Sequence, residues 1–411
     1  MFVKYCKNTD MKPIKIWLPS EDHVEENCME QAMHLSKLPF IHKWVALMPD
    51  THAGKGMPIG GVIACENAVV PNAVGVDIGC GMAFVRTDIP AELLKNTMTG
   101  SGSLIHTICG NILRNIPTGF NHYRKPQPSA VLDRAKSNAD RYETDAELLH
   151  CIDDGYFQVG TLGGGNHFIE LQQDEKGMTC IMLHSGSRHF GNMVGQHFNR
   201  IARELNEKWH TCIPSEWNLP FLPSDSDEGR RYLEWMQLSM DFAYENRAAM
   251  LEKVKNILSE HTLKYLGRTP VFSDEINCHH NYAALEEHYG KQVYVHRKGA
   301  IRAGKDEFGI IPGAMGSYSY IVKGKGCEES FMSCSHGAGR LYSRTAAVEK
   351  FSVEKVMCDL KANNVVLSKH NKSDVAEESR FAYKDIGMVM ENESDLAEPV
   401  SRLFTIGVVK G

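Results

Sequence analysis

The chain has 411 residues, of which 42% are hydrophobic and 23% charged; this is ordinary globular usage and excludes wholesale disorder. Its 45 basic and 51 acidic residues give a formal charge of −6, which excludes a protein that grips nucleic acid over its whole surface, so any RNA site must be local. No run approaches the roughly 18 apolar residues of a membrane span, and the opening MFVKYCKNTDMKPIK is too polar for a signal peptide, so a soluble, cytoplasmic protein without membrane partners is expected.

In chain order, Val24, Cys28, Ala32 and Leu35 fall at helical spacing and predict an early amphipathic helix. IGGVIA (Ile59 to Ala64) reads as a strand, and Arg114 to Pro128 as a surface insertion. CIMLH (Cys180 to His184) is a second strand, followed by a helix marked by Val194, Phe198, Ile201 and Leu205. Thr211 to Gly229, broken by Pro214, Pro220 and Pro223, reads as another surface insertion before a long helix through Met236, Met240, Ala243, Met250, Val254 and Ile257. QVYVH (Gln292 to His296), YSYIVK (Tyr318 to Lys323) and LFTIGVV (Leu403 to Val409) are further strands, the last carrying Lys410 into the protein. The order predicts an α+β fold, with no repeat and no regular βαβ winding.

Twelve cysteines, from Cys6 to Cys358, contain no CxxC pair and are expected as reduced thiols. The window His296 to Lys325, with Arg297, Lys298, Arg302, Lys305, Lys323 and Lys325 against Asp306 and Glu307, is either a local RNA site or a solvated face. GAIRAGKD (Gly299 to Asp306) copies the spacing of a phosphate-binding loop, but Asp306 stands where a hydroxyl is needed, and a carboxylate there repels phosphate.

What remains is a set of polar residues beside glycines. GVDIGCGM places Asp77 and Cys80 three apart; GGGNHF offers Asn166 and His167, MLHSGSR offers His184 and Arg188, and NCHHN offers His279 and His280. One carboxylate, one thiolate and three imidazoles are the inventory of a two-metal site with a bridging ligand, and ligand softness alone points to zinc. In SCSHGAGR, small neighbours leave room for a phosphate at His336, and Arg340 follows as a bidentate phosphate holder.

Taken in order, PDTHAGKG (49–56), GVDIGCGM (75–82), GGGNHFIE (163–170), MLHSGSR (182–188), EINCHHNY (275–282), IIPGAMG (310–316) and CSHGAGR (334–340) resemble the RtcB family of RNA-splicing ligases, from about Pro39 to the C-terminus. The resemblance implies one α+β domain over residues 1–411, with mixed β-sheets, flanking helices and a central metal and nucleotide cleft. It implies a GTP- and manganese-dependent RNA ligase that joins RNA 3′-phosphate or 2′,3′-cyclic phosphate ends to 5′-hydroxyl ends, in RNA repair or tRNA splicing, as a monomer or weak homo-oligomer. Asp77, Cys80, His167, His184 and His280 then fall on the metal ligands, with Cys80 bridging two Mn²⁺ ions, which replaces the zinc reading. His336 falls on the guanylylated histidine, and Arg188 joins it in the catalytic set. Asn166, His167, Phe168, Ile169, Glu170, His280, Asn281, Pro312, Gly313, Ala314, Met315, Ser319, His336, Gly337, Ala338, Gly339 and Lys410 fall on the guanine-nucleotide contacts. Many members have serine where this chain has Ala314, so one hydroxyl contact to GTP is missing. Two other readings remain at this point: a metal-dependent phosphodiesterase that opens cyclic phosphates, and a noncatalytic RNA-end-binding protein.

Overall fold

The computed structural model describes residues 1–5 and 11–411, so Cys6 lies outside the described residues. Two sheets organise the chain. The first runs in the order Phe2–Lys4, Ile14–Ile16, Ile41–His52, Ile59–Cys65, Lys291–Lys298, Asn281–His288. The second runs Phe272–His279, Gly81–Pro90, Met178–Ser185, Phe168–Asp174, Ala397–Lys410, Tyr318–Gly324, Phe308–Ile311, with Val366–Ser368 beside Ala397–Lys410. Its first and last strands approach one another, so the sheet nearly closes on itself. Pairing in both is antiparallel except for Ile14–Ile16 with Ile41–His52 and Val366–Ser368 with Ala397–Lys410. The expected α+β class holds.

Strand alternation decides which side chains reach the cleft. In Phe168–Asp174, Ile169 and Leu171 enter an apolar core with Ile181, Leu183 and Val409, while Phe168 and Glu170 point the other way. The C-terminal strand pairs Lys410 with Phe168 and Val408 with Glu170, so the penultimate residue lies inside the protein instead of fraying from it.

The long helix spans Asp227–Leu266, begun by Ser226, whose hydroxyl accepts from Gly229 N, and ended by Gly267 in a left-handed turn at φ +70°. Trp235 and Phe242 enter one apolar cluster and Met250, Val254 and Leu258 another, and the join between them is occupied by buried Asn246 and Arg247. Because the helix starts at Asp227, Gly229 is not part of a surface insertion. Leu219 and Leu222 are also fully buried, and Leu222–Pro223 pairs with Ala68–Val69, since two leucines supply enough apolar surface to anchor that stretch. Arg114 and Asn115 likewise close the helix Leu104–Asn115, whereas residues 119–126 run largely exposed.

The basic window is not one face. Arg297 is buried against Glu286 and the Phe331 carbonyl, and Lys298 donates to the carbonyls of Lys55 and Asn72. Arg302 meets Glu307, Lys323 meets Asp306, and Lys325 caps the Ser394 carbonyl. Pleating and a hairpin separate the charges and local acceptors neutralise them, so clustering in sequence is not clustering in space.

Candidate active site

Three loops at strand ends, carrying Asp77 and Cys80, His167 and His280, meet His184 near the end of the strand Met178–Ser185. Cys80 Sγ lies 3.4 Å from His167 Nε2 and 3.3 Å from His184 Nε2, and these three donors all lie within 4.8 Å of one another. Asp77 Oδ2 is 3.3 Å from His167 Nε2, and His280 Nε2 is 2.9 Å from His184 Nε2. His279, its neighbour in sequence, faces away toward Gly79 O and Arg247.

The protonation pattern decides what this cluster can hold. His184 Nδ1 donates to the Asn166 carbonyl, and His280 Nδ1 donates to Asn281 Oδ1, which also accepts from Gly299 N. Burial, reinforced by neighbouring imidazoles, pushes both rings well below the ordinary histidine pKa, so neither gains a second proton. Their Nε2 lone pairs therefore face each other across 2.9 Å, an arrangement that repels unless a cation lies between them. Burial, and then the Asp77 charge, push the Cys80 thiol well up, and a cation would reverse that preference. The donor set fits a divalent metal.

His336 adjoins this cluster, its ring centroid 4.8 Å from that of His280. Its Nδ1 donates to Asp50 Oδ2 at 2.6 Å, and that same oxygen accepts from the backbone N–H of His336 and Gly337 at 3.2 and 3.3 Å. Asp50 is fully buried; burial alone would raise its pKa, but His336 outweighs it and the carboxyl stays below its ordinary range. The contact holds the neutral ring in the tautomer whose lone pair is on Nε2. Gly299, at φ +64°, permits the approach: a Cβ there would lie 3.0 Å from His336 Cε1 and 2.3 Å from Ile59 Cγ2.

From His336 a cleft of about 180 Å³ extends to Lys410, walled by the turn Pro312 to Met315 and by Gly337 to Gly339. Phe168, whose ring lies 5.7 Å from that of His184, and Glu170, Glu378, Tyr383 and Lys410 also line it. Lys410 Nζ lies 3.3 Å from Glu378 Oε2, and burial pushes the lysine pKa down while Glu378 opposes that shift. Burial raises Glu170 to about 7, although Thr405 and Gln172 donate to it.

Sequence comparison supplies the relatives of this arrangement. The profile described as tRNA-splicing ligase RtcB matches residues 31–411. RNA-splicing ligase RtcB of Escherichia coli K12 is 39% identical, with 98% of each chain covered. The tRNA-splicing ligase RtcB of Thermococcus kodakarensis is 30% identical over 94% of this chain and 92% of its own. That of Archaeoglobus fulgidus is 31% identical with the same coverage. The chain belongs to the RtcB family.

Not every residue that the RtcB resemblance implicates reaches the cleft with its side chain. Ile169 faces the core; Asn281 fixes His280 and the Gly299 N–H; and Ser319, buried beneath the turn, accepts from Gly313 N at 3.1 Å and from Gln172. Arg340 departs from the expected phosphate holder: its guanidinium is spent on Glu378, the Tyr383 hydroxyl and the carbonyls of Glu377 and Tyr342. A carboxylate, a phenol and two carbonyls within reach leave it no open fork. Arg188, with φ +59°, instead lies behind His167 with long contacts only, 3.4 Å to Thr161 Oγ1 and 3.5 Å to Gly119 O.

Reading the RtcB motifs also missed three residues. Asp50 sits inside PDTHAGKG without a role assigned to it. Asn246 and Arg247 lie on the long helix, where a helical stripe gives no hint of them. Arg247 donates to Gly79 O at 2.8 Å, Ser185 O at 3.0 Å and Asn277 Oδ1 at 2.7 Å, tying together the segments that carry Cys80, His184 and His280. Asn246 bonds Gly160 N, Thr161 N and Gly186 O. Arg247→Leu removes the donor to Ser185 O and Asn277 Oδ1, at about 1–3 kcal/mol for each buried acceptor left unpaired, and leaves Gly79 O with His279. It is expected to lower the denaturant midpoint, read by circular dichroism, and to reduce metal retention, read by elemental analysis.

Proposed function

We propose that the chain is an RNA ligase that joins RNA 3′-phosphate or 2′,3′-cyclic phosphate ends to 5′-hydroxyl ends, using GTP and Mn²⁺ and acting through a guanylylated His336. In this reading residues 1–411 work as one cytoplasmic domain in RNA repair or tRNA splicing. The observation that carries it is His336, whose Nδ1 is held by Asp50 where the donor cluster meets the polar cleft that runs to Lys410.

Asp77, Cys80, His167, His184 and His280 would hold the two ions, with Cys80 shared. Bound there, they would polarise phosphate oxygens and lower the charge that opposes attack. His336 Nε2 attacks the α-phosphorus of GTP; an N–P bond forms, the P–O bond to pyrophosphate breaks, and Asp50 balances the positive charge that builds on the ring. His336 next serves as the leaving group when an RNA 3′-phosphate oxygen takes the guanylyl phosphorus. The 5′-hydroxyl of the second strand then displaces GMP, and His336 is free again. Arg188 supplies positive charge beside His167 for the incoming RNA phosphate.

Glu170 and Lys410 account for the choice of guanine. A carboxylate accepts from the N1–H and 2-amino group of guanine, and an ammonium donates to its O6; adenine presents the opposite polarity at the shared positions. Phe168 and Tyr383, which both line the cleft, offer flat surfaces for the base.

Lys410→Ala, or removal of Lys410 and Gly411, leaves Glu170 buried without its neighbouring ammonium and Glu378 with Arg340 as the cation in hydrogen-bond contact. The GTP concentration for half-maximal guanylylation is expected to rise by about tenfold or more, one lost charged hydrogen bond, with metal content unchanged. A titration curve identical to that of the full chain would contradict this.

Incubation with α-labelled GTP and Mn²⁺ tests the whole reading. Covalent label on the protein, together with joining of 3′-phosphate and 5′-hydroxyl RNA, is expected. Opening of cyclic phosphate without label would favour a phosphodiesterase, and RNA binding without either would favour a noncatalytic end-binding protein.

A further inference from the structure

The segment 114–128, the last residues of the helix Leu104–Asn115 and the loop after it, contains Arg114, His122, Arg124 and Lys125 and no acidic residue. All four side chains are exposed, and among the described residues Arg114, Arg124 and Lys125 form no ion pair. Phe120, at 99% exposure, stands among them. A single exposed hydrophobic residue is unremarkable. Here, however, the backbone that presents it is firmly held. Gly119 N donates to Gly163 O at 2.8 Å, Leu162 N to Pro117 O at 2.9 Å, and Tyr123 N to Phe157 O at 3.0 Å. The Tyr123 hydroxyl donates to Gly160 O, and Lys253 lies over its ring.

That anchorage places the loop on the rim of the active site. Thr118 pairs with Gly163, four residues before His167, and Arg188 Nη2 reaches Gly119 O. Gly165 on the same rim adjoins Arg344, which is half exposed and lines the cleft. Positive charge thus stands on both sides of this rim, with Arg188 and Arg344 toward the cleft and exposed Arg124 and Lys125 on the loop that carries Phe120.

Cations that track a backbone, with an aromatic face interleaved, form a surface for single-stranded nucleic acid. We propose that the segment 114–128 docks the single-stranded RNA next to the reacting end, with Phe120 stacking on a base and Arg114, Arg124 and Lys125 meeting phosphates. The proposal rests on the ligase reading for its ligand and extends it to a surface outside the cleft. Charge and continuity with the cleft both favour RNA over a protein partner, for which a basic loop without an apolar patch is a poor fit. It assigns the strand a sequence-independent hold, since stacking and phosphate contacts do not read base edges.

The test uses the full chain and its variants Phe120→Ala and Arg124→Ala/Lys125→Ala, with Lys323→Ala as a surface control. Fluorescent single-stranded RNAs ending in 3′-phosphate or in 5′-hydroxyl are bound over a salt series and read by anisotropy, and each variant is also labelled with GTP. Phe120→Ala is expected to weaken binding of at least one RNA roughly 5- to 150-fold, the range of one lost stacked base. The double variant is expected to weaken it and to flatten the salt dependence by about 0.7 per removed charge. Covalent labelling should match the parent in every variant, because the loop lies outside the nucleotide cleft. Unchanged binding of both RNAs with an unchanged salt slope would overturn the proposal. Absence of label in the parent would count against the ligase reading alone, because the binding comparison is scored independently of it.

Discussion

His336→Ala is expected to abolish covalent guanylylation and RNA joining while leaving the donor cluster able to bind metal. The side chain that would accept the guanylyl group disappears; His52 also lines the cleft, but its Nδ1 meets a backbone carbonyl instead of a carboxylate, so it lacks the charge balance that Asp50 gives His336. The variant also leaves the Asp50 carboxylate buried with only the backbone donors of residues 336 and 337. A stability loss of about 1–3 kcal/mol should accompany it, which circular dichroism during urea unfolding would register separately from activity. Asp50→Asn gives the companion result. The amide can offer a donor where the ring needs an acceptor, so the ring loses its fixed tautomer and its charge balance. Guanylylation should fall by about 10²- to 10⁴-fold, the range seen when the residue that orients a catalytic histidine is neutralised, with the half-saturating GTP concentration little changed. Full activity in Asp50→Asn would show that the 2.6 Å contact is structural only.

Cys80→Ala is expected to be more damaging to metal content than His280→Ala. Cys80 Sγ stands between two imidazoles, within 3.4 Å of both, whereas His280 reaches only His184. A thiolate shared by two ions, once removed, weakens both sites, whereas loss of a terminal imidazole weakens one. Metal counted by mass spectrometry should fall from about two ions per chain toward none in Cys80→Ala and toward one in His280→Ala, the pattern of a bridging against a terminal ligand. Two ions retained by Cys80→Ala would remove the bridge from the account.

Much of this site was legible in the sequence because its residues lie in short Gly-rich motifs whose spacing survives without knowledge of the fold. GVDIGCGM, GGGNHFIE and MLHSGSR each sit at a strand end, where a tight turn lets a polar side chain point into the cleft. LFTIGVV was readable as a strand for a simpler reason: its apolar run must be buried, and burial carries Lys410 inward. What escaped was tertiary. Asp50 acts on a residue 286 positions away, and only the pairing of loops from separate strands reveals the contact. Arg247 and Asn246 are polar residues on an apolar helix face, which periodicity treats as exceptions. The basic window left two readings open for the converse reason, since charges near one another in sequence part company on pleated strands. Arg340 looked like a phosphate holder until Glu378 and Tyr383, about forty positions further on, were seen to occupy it.

The most direct test of the central claim is the location of the nucleotide on the protein. After reaction with GTP and Mn²⁺, digestion with trypsin under mildly alkaline conditions should yield the peptide Gly326 to Arg340, in which His336 is the sole histidine. That peptide should carry one GMP in a bond that is stable to base and labile to acid, as a phosphoramidate is. GMP on any other peptide, or a chain that remains unmodified while it joins RNA ends, would contradict the assignment of His336 as the nucleophile.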